Sequence, residues 1–299
     1  MILVSDIQEM VEDLSLLDSL ATIFPDSSRT TLRRMLQAGR VEVDGEIIHS
    51  AKYEVKKGQK IRIRTRSEIA PAPVKKTAGG RPIEVLFEDE HLFVLAKPSG
   101  LLTVATDKME NNTLHSRAVD HVKRGDKKRW AYIVHRLDKK TSGIIVFAKS
   151  EDVKMELQNQ FADRDVERVY HAVVEGELEG KGVISNYLRE DKRLRVLAFD
   201  SKVGGSKEAI TEWESKKKGP IYTYVKLIIQ TGRRNQIRVH MADMGYPLAG
   251  DKEHGAQSNP LNRLCLHASK LSFQHPITGE RISLIHNPPN RFLKLTKEN

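Results

Sequence analysis

Cysteine is almost absent from this chain of 299 residues, in which Cys265 is the single example. One thiol forms no internal disulfide, which fits a reducing compartment, and it excludes zinc sites built on paired cysteines. The chain also has no apolar run long enough to span a bilayer. Its first residues, MILVSDIQEM, lack the basic start and the long apolar stretch of a signal peptide. We therefore expect a cytoplasmic protein without a membrane partner.

Cofactor fingerprints are missing as well. The chain contains neither a phosphate-binding P-loop nor the glycine-rich dinucleotide motif. A protein kinase is excluded too, because its catalytic loop orders His-Arg-Asp, whereas residues 135–138 read His-Arg-Leu-Asp and no Asp-Phe-Gly turn follows. We expect a protein that uses no metal and no organic cofactor.

Positive charge is in excess, and it is unevenly distributed. Lysine and arginine number 50 against 40 aspartates and glutamates, and the pI is about 9.5. The first 27 residues hold six acidic and no basic residues, whereas residues 28–66 hold eleven basic and four acidic ones. A pI above about 9 with clustered basic residues is typical of nucleic-acid binding, although an ordinary basic protein remains the alternative at this point.

The basic segment DSSRTTLRRMLQAGRVEVDGEII predicts a helix followed by a hairpin. Asp26, Ser27 and Ser28 are candidate helix caps, and Gly39 is placed to end the helix. Apolar residues recur at helical spacing, and VEVDGEII is typical of a strand, an Asp-Gly turn and a second strand. Arginines lie on the other faces of the helix and just beyond it: Arg29, Arg33, Arg34 and Arg40.

This order of elements resembles the small RNA-binding fold named for ribosomal protein S-four, over about residues 15–65. The resemblance implies that the four arginines contact RNA phosphates. A solvated basic helix beside a hairpin is the alternative. We place this domain at residues 1–66, a linker rich in Pro, Ala, Lys and Gly at 67–81, and a second domain at 82–299.

The second domain is predicted to have an α+β fold. Strand-like apolar runs follow one another, as in IEVLFED, LFVLAKPSG and GIIVFAKS, while helices such as TLHSRAVDHVKRG and SEDVKMELQNQFADRDV are scattered among them. Strands that lie next to strands favour a mixed, largely antiparallel sheet over a doubly wound parallel one.

One carboxylate stands in the turn-forming stretch IVHRLDKKTSGIIVFAKS, residues 133–150. If IVHRLD ends a strand, alternation places Arg136 and Asp138 on one face. Asp138 then lies at the edge of a sheet, where its side chain can reach a ligand. Taken alone, the stretch favours an aspartate that only caps the turn.

Four stretches in order resemble the RluA-type RNA pseudouridine synthases: HRLDKKTSGIIVFAK, ERVYHAVVEG, TGRRNQIRVHMADMGYPLAGD and RLCLHASKLSFQHPITGE. The resemblance spans about residues 82–290. It implies a pseudouridine synthase catalytic domain, an isomerase that breaks the bond from uracil to C1′ of the ribose and joins C5 to C1′. Such a reaction needs no redox step, group donor or metal.

The resemblance also implies roles for individual residues. Asp138, Tyr170 and Arg238 match the catalytic residues, with Arg238 paired to Asp138, and Asp138 acting as nucleophile or base. Arg136 and Arg233 are implied as RNA contacts. We interpret the histidines of these stretches as structural: His135, His240 and His267.

Two positions depart from the family pattern, because Asn235 and Tyr246 stand where histidines are usual. These departures bear on RNA contacts and hence on the choice of substrate. Large-subunit ribosomal RNA is the expected substrate, since the family often carries such an N-terminal domain. A tRNA pseudouridine synthase, or a non-catalytic RNA-binding or ribosome-assembly protein, remains the alternative. A monomer is the default expectation.

Overall fold

The computed structural model describes residues 7–64, 83–106, 110–191 and 195–297. The chain divides into two compact units, residues 1–80 and 81–299. The linker predicted at 67–81 lies outside the described residues. None of the described helices combines the length and apolarity that a membrane span requires.

Two helices and six short strands are described in the first unit. In chain order they are β1 (Ile7–Glu9), β2 (Leu14–Ser15), α1 (Leu16–Ile23), α2 (Arg29–Gln37), β3 (Val41–Val43), β4 (Glu46–Ile47), β5 (Glu54–Val55) and β6 (Lys60–Ile63). Four of the strands form a sheet in the order β1-β6-β3-β4, and β2 pairs with β5.

The predicted helix and hairpin of this unit are confirmed. The Ser28 hydroxyl accepts a hydrogen bond from the backbone N–H of Thr31 at 3.2 Å and caps α2. Gly39 follows the helix with φ +65°, a conformation that glycine adopts without strain. Asp44 and Gly45 both have positive φ, as a tight hairpin turn between β3 and β4 requires.

The second unit is built on a large sheet with helices beside it. Its elements are β7 (Glu84–Glu88), β8 (Leu92–Lys97), α3 (Leu114–Lys123), β9 (Tyr132–Ile133), β10 (Ser142–Ala148), α4 (Glu151–Ala162), β11 (Glu167–Glu175), β12 (Lys181–Glu190), β13 (Val196–Phe199), β14 (Lys207–Lys218), β15 (Tyr222–Ile229), α5 (Gln236–Asp243), a 3-10 turn (Lys252–His254), β16 (Leu266–Gln274), β17 (Arg281–Ile285) and α6 (Asn290–Lys294).

The sheet of this unit has eleven strands and mixed direction. Nine of them run in the order β13-β12-β14-β15-β11-β16-β10-β8-β7, while β17 pairs with β16 and β9 with β10. Among the described strands, β10 and β16 form the one parallel pair. The predicted α+β class with a mixed, largely antiparallel sheet is therefore confirmed.

The neighbouring strands β8 and β10 are buried on both faces of the sheet. Phe93, Leu95 and Phe147 belong to the core on one face, whereas Val94 and Val146 belong to the core on the other. Successive side chains of a strand point to opposite faces, so a continuous apolar run is needed to fill both cores. This burial fixes β10 between β8 and β16, directly after the stretch that carries Asp138.

Gly143 allows the parallel pairing of β10 with β16. It has φ +120° and lies opposite Ala268, whose carbonyl oxygen would be 2.1 Å from a Cβ at residue 143. No side chain fits at such a distance. The glycine of the TSG turn is thus required by a close approach of two backbones.

Candidate active site

A cavity of about 620 Å³ opens in the second unit beside the HRLD stretch. Asp138 is the one carboxylate among the described residues that line it. The same wall carries Tyr170 and five arginines: Arg136, Arg168, Arg233, Arg234 and Arg238. A single carboxylate surrounded by guanidinium groups suits a polyanionic substrate that presents one reactive centre to that carboxylate.

The stretch that leads to Asp138 is not the strand expected from the sequence. β9 ends at Ile133, and residues 134–138 have no regular secondary structure. Side chains hold them in place: Thr103 Oγ1 donates to the carbonyl of Leu137 at 2.6 Å and lies 3.2 Å from its N–H. The predicted strand end is therefore wrong by five residues, because Thr103 takes the hydrogen bonds that a neighbouring strand would have made.

The turn after Asp138 is fixed by the loop that follows β8. The buried Lys97 ammonium donates to the carbonyls of Leu101 at 2.6 Å and of Lys139 and Pro98 at 3.1 Å each. The backbone N–H of Gly100 also donates to Lys139, at 2.8 Å. Burial lowers the pKa of Lys97 to about 7, and the charge of Asp138 opposes that change. Asp138 therefore sits in a turn whose backbone is bound on one side by a buried lysine.

Tyr170 lies on β11 with 8% of its surface exposed. Burial raises the pKa of its hydroxyl to about 12, with a further contribution from the charge of Asp138 and an opposing one from Arg168. The phenol is consequently protonated at neutral pH. Its ring offers a surface on which a base can stack, and its hydroxyl remains a hydrogen-bond donor.

Arg238 lies on α5 and is bound by other acidic groups than the expected one. Its Nε and Nη2 donate to both oxygens of Asp251 at 2.7 and 2.6 Å, and Nη2 also donates to Glu253 at 2.7 Å. Nη1 donates to the side chain of Asn235 at 2.9 Å. The ion pair expected between Arg238 and Asp138 is not formed in this structure, although both residues line the cavity.

The pair between Arg238 and Asp251 is buried, with side-chain exposures of 5% and 0%. Burial alone would raise the pKa of Asp251, but the hydrogen bonds from Arg238 lower it to about 2. Burial likewise opposes the charge of Arg238, and the two carboxylates raise its pKa above the ordinary value. Both groups are thus charged at neutral pH, and the bidentate contact fixes the plane of the guanidinium.

Asn235, which stands where the resemblance expects a histidine, contacts Arg238. It stands at the start of α5 with φ +54°, a left-handed conformation that asparagine tolerates better than most residues. Its side-chain oxygen accepts from Arg238. The departure noted in the sequence therefore gives Arg238 one more acceptor.

The remaining predicted RNA contacts fall into two groups. Arg136 is exposed at the cavity, and Arg233 is exposed there with its Nε bound to the carbonyl of Glu208 at 2.9 Å. The four arginines of α2 and its C-terminal end belong to the first unit: Arg29, Arg33, Arg34 and Arg40. Arg29 forms an exposed ion pair with Asp18 at 2.7 Å, and Arg40 donates to the carbonyl of Arg64.

The histidines near the site have structural partners. His135 Nε2 accepts from the N–H of Val146 at 3.2 Å, and burial lowers its pKa to about 3. His240 contacts Thr211 and Asn186 at 2.9 Å each, and burial lowers its pKa to about 4. Neutral rings that are held in this way are consistent with the structural interpretation.

Three residues of the site escaped the sequence analysis: Lys97, Arg168 and Asp251. Lysine and arginine are rarely fully buried, so nothing in the sequence marks Lys97 or Arg168 as interior residues. Asp251 ends the LAGD stretch and meets Arg238 only through the fold. The one feature of the sequence that could have indicated a buried Asp251 is a carboxylate directly after a glycine in an apolar stretch.

Comparisons with known proteins identify the family of each unit. A family model described as RNA pseudouridylate synthase matches residues 91–243, and an S4 domain model matches residues 16–61. The chain belongs to the RNA pseudouridylate synthase family. It is therefore an isomerase that acts on RNA, and its first unit carries an RNA-binding S4 domain.

Similar proteins cover nearly the whole chain. A Pseudomonas aeruginosa protein named ribosomal large subunit pseudouridine synthase D is 31% identical, over 93% of this chain and 90% of its own length. An Aquifex aeolicus protein named as an uncharacterized RNA pseudouridine synthase is also 31% identical, over 91% of this chain and 90% of its own. Human RNA Pseudouridylate Synthase Domain Containing 4 shares the fold, with a TM-score of 0.59 and 22% identity over 70% of this chain and 90% of that one.

Proposed function

We propose that this synthase converts uridines of large-subunit ribosomal RNA to pseudouridine and that Asp138 is its reactive carboxylate. The observation that carries the proposal is the position of Asp138, the one carboxylate among the described residues of a cavity otherwise rich in guanidinium groups. The names of the relatives support ribosomal RNA as the substrate.

Asp138 acts at C1′ of the flipped nucleotide. Breaking the bond between C1′ and N1 leaves positive charge at the sugar, and a carboxylate either bonds to C1′ or removes a neighbouring proton. Both routes require a carboxylate held at a fixed position. The turn bound by Lys97 and Thr103 supplies that position through the backbone on each side of Asp138.

Tyr170 stacks on the uracil ring. With a pKa of about 12 its hydroxyl keeps its proton, so it serves as a hydrogen-bond donor and not as a phenolate base. A base can reach this buried ring only after leaving its own stack, which makes base flipping part of the mechanism. Arg136, exposed at the cavity, contacts phosphate or fills the space that the base leaves.

Arg238 contributes to the site through one N–H group that donates to no partner among the described residues. An arginine has five N–H groups, and Asp251, Glu253 and Asn235 accept from four of them. One Nη1 hydrogen remains. We assign it to the substrate or to Asp138 once RNA is bound, while Asp251 and Glu253 hold the guanidinium in its plane.

The basic N-terminal domain, which we place at residues 1–66, positions the RNA. Arg29, Arg33, Arg34 and Arg40 contact phosphates without reading sequence. Arg233 does the same in the catalytic domain, which we place at 82–299. Each phosphate contact releases counterions, so binding weakens with salt. Neither a metal nor a cofactor is required by this scheme, and we expect a cytoplasmic monomer.

The test is tritium release from RNA labelled at C5 of uridine, since isomerisation frees that hydrogen. Large-subunit ribosomal RNA, the same RNA in partly assembled particles, and bulk tRNA are compared side by side. Release from ribosomal RNA in either form supports the proposal. Release from tRNA alone identifies a tRNA synthase. Salt-dependent binding without release from any of the three points to a non-catalytic RNA-binding or assembly protein.

A further inference from the structure

Arg168 is a buried cation in the wall of the candidate active site, and no role has been given to it so far. It lies on β11 two residues before Tyr170, with 6% of its surface exposed. Its Nη2 donates to the carbonyl of Gln230 at 2.8 Å. Its Nε is buried and has no acceptor among the described residues.

The surroundings of Arg168 do not neutralise it. No described carboxylate lies within 4.0 Å of its guanidinium nitrogens, and the nearby charge of Arg233 repels it. Burial lowers its pKa, yet a guanidinium stays protonated in proteins. A buried charge without a counter-charge is strongly unfavourable. The presence of such a charge in the wall of this cavity indicates that a bound ligand supplies the missing hydrogen-bond acceptor.

The protein also leaves room for this side chain. A Cβ at Gly232 would lie 2.9 Å from Nη1 of Arg168, so a larger residue there would displace the guanidinium. The ring of Phe161 lies 5.4 Å from the guanidinium carbon and supports it by a cation–π contact. Both neighbours line the same cavity, and the guanidinium is thus held beside the space that a substrate would fill.

The placement of Arg168 relative to Tyr170 suggests which part of the substrate it meets. Residues two apart on a strand share a face, and Tyr170 interacts electrostatically with both Arg168 and Asp138. With C1′ of the target nucleotide at Asp138 and its base on Tyr170, a cation that lines the same cavity beside Tyr170 is placed to reach an edge of the base.

We propose that Arg168 binds a carbonyl oxygen of the target uracil and stabilises the negative charge that the ring carries after its bond to C1′ breaks. This inference rests on the proposed function. The electron pair of the broken bond passes to N1 and is shared with O2 and O4. C5 then bonds to C1′, the proton on C5 leaves, and N1 takes up a proton, so that the product has the composition of the substrate. A fixed cation at the developing charge accelerates such a step.

The first test separates chemistry from binding. Arg168→Met should lower the single-turnover rate by about 100-fold, as loss of one preorganised donor does, while the Kd for RNA changes by less than about 3-fold. Arg168→Lys keeps the charge and should recover part of the rate. Arg189→Met is the matched control, because Arg189 also donates to one carbonyl and lies over a phenylalanine ring, but outside the cavity. It should keep the wild-type rate.

The second test locates the contact on the substrate. Wild type and Arg168→Lys are compared on RNA with 2-thiouridine, 4-thiouridine or a methylphosphonate at the target, since sulfur accepts hydrogen bonds weakly. We expect one thio substitution to lower the rate of wild type by a larger factor than it lowers the rate of Arg168→Lys, because groups in contact show coupled effects. The inference would be overturned if each thio substitution lowered the rate by the same factor in wild type and in Arg168→Lys. It would also be overturned if only the methylphosphonate changed the two rates by different factors. Wild type that forms no product on unmodified RNA would count against the proposed function instead.

Discussion

The ammonium group of Lys97 lies 3.1 Å from the carbonyl oxygen of Lys139, the residue that follows Asp138. Lys97 is 1% exposed and also donates to the carbonyls of Pro98 and Leu101. The turn that carries Asp138 and the loop after β8 are thus joined by one buried side chain. The two stretches are far apart in sequence, and this contact makes them a single rigid support.

Replacing Lys97 by Met should loosen that support. The carbonyls of Pro98 and Leu101 lose their donor, and we expect the free energy of unfolding to fall by roughly 2–4 kcal/mol. Urea unfolding at pH 7.5 measures it. Lys128→Met, at an exposed lysine, is the control and should stay within about 0.5 kcal/mol of wild type. Equal stabilities of the two variants would contradict the role given to Lys97.

Asp251 and Glu253 bind the same guanidinium but should differ in importance. Asp251 is fully buried, whereas the side chain of Glu253 is 58% exposed. Asp251→Asn leaves Arg238 buried without its bidentate partner and should lower stability by roughly 3–5 kcal/mol. Glu253→Gln should lower it by less than about 1 kcal/mol.

A double-mutant cycle of Asp251→Asn with Arg238→Met checks this contrast, because the coupling energy isolates the pair. Pseudouridine formation should also fall in Asp251→Asn, since the plane of Arg238 is no longer fixed. A coupling energy near zero would show that Arg238 is held by something other than Asp251.

His240 should make stability depend on pH. Its folded-state pKa of about 4 lies below the ordinary 6.5 because of burial. Between these values the unfolded chain binds a proton that the folded chain does not, so stability is lost as the pH falls from 6.5 towards 4. His240→Gln should reduce that loss by roughly 3 kcal/mol.

Thermal unfolding of wild type and His240→Gln at pH 7.5 and 4.5 tests the expected sign. The ring is neutral at the higher pH, so the difference in unfolding temperature there reports the loss of the buried ring and of its contacts with Thr211 and Asn186, without a contribution from its charge. The difference in unfolding temperature between wild type and His240→Gln should be smaller at the lower pH. A difference in unfolding temperature that increases on acidification would mean that protonated His240 stabilises the folded protein.

Arg34 should contribute to the salt dependence of RNA binding. It is an exposed residue of α2, and no described carboxylate lies within 4.0 Å of it. Arg34→Gln should reduce the slope of log K against log salt by about 1. Arg29→Gln should reduce it less, because Arg29 must first leave Asp18. An unchanged slope for Arg34→Gln would exclude this face of α2 from the RNA contact.

Local signals in the sequence were sufficient for much of the fold. Ser28 and Gly39 mark the ends of α2, and the Asp-Gly pair marks the hairpin, because capping and turn chemistry depend on neighbouring residues. The apolar runs of β8 and β10 likewise predicted two strands, and both are buried.

The contacts inside the site were not predictable in the same way. The pairing of Arg238 with Asp251 depends on where the chain after α5 returns, and the resemblance to a family pointed to Asp138 instead. The strand expected before Asp138 was replaced by contacts with Thr103 from a distant loop. Long-range side-chain partners of this kind leave no periodic signal, so only the fold reveals them.

We propose that Asp138 performs the chemistry and does not hold the RNA. Wild type and Asp138→Asn are incubated with large-subunit ribosomal RNA tritiated at C5 of uridine, and release and RNA affinity are measured on the same samples. We predict release by wild type alone, with equal affinities within about 3-fold, because the substitution removes a charge without removing a phosphate contact. Release at the wild-type rate by Asp138→Asn would contradict the account.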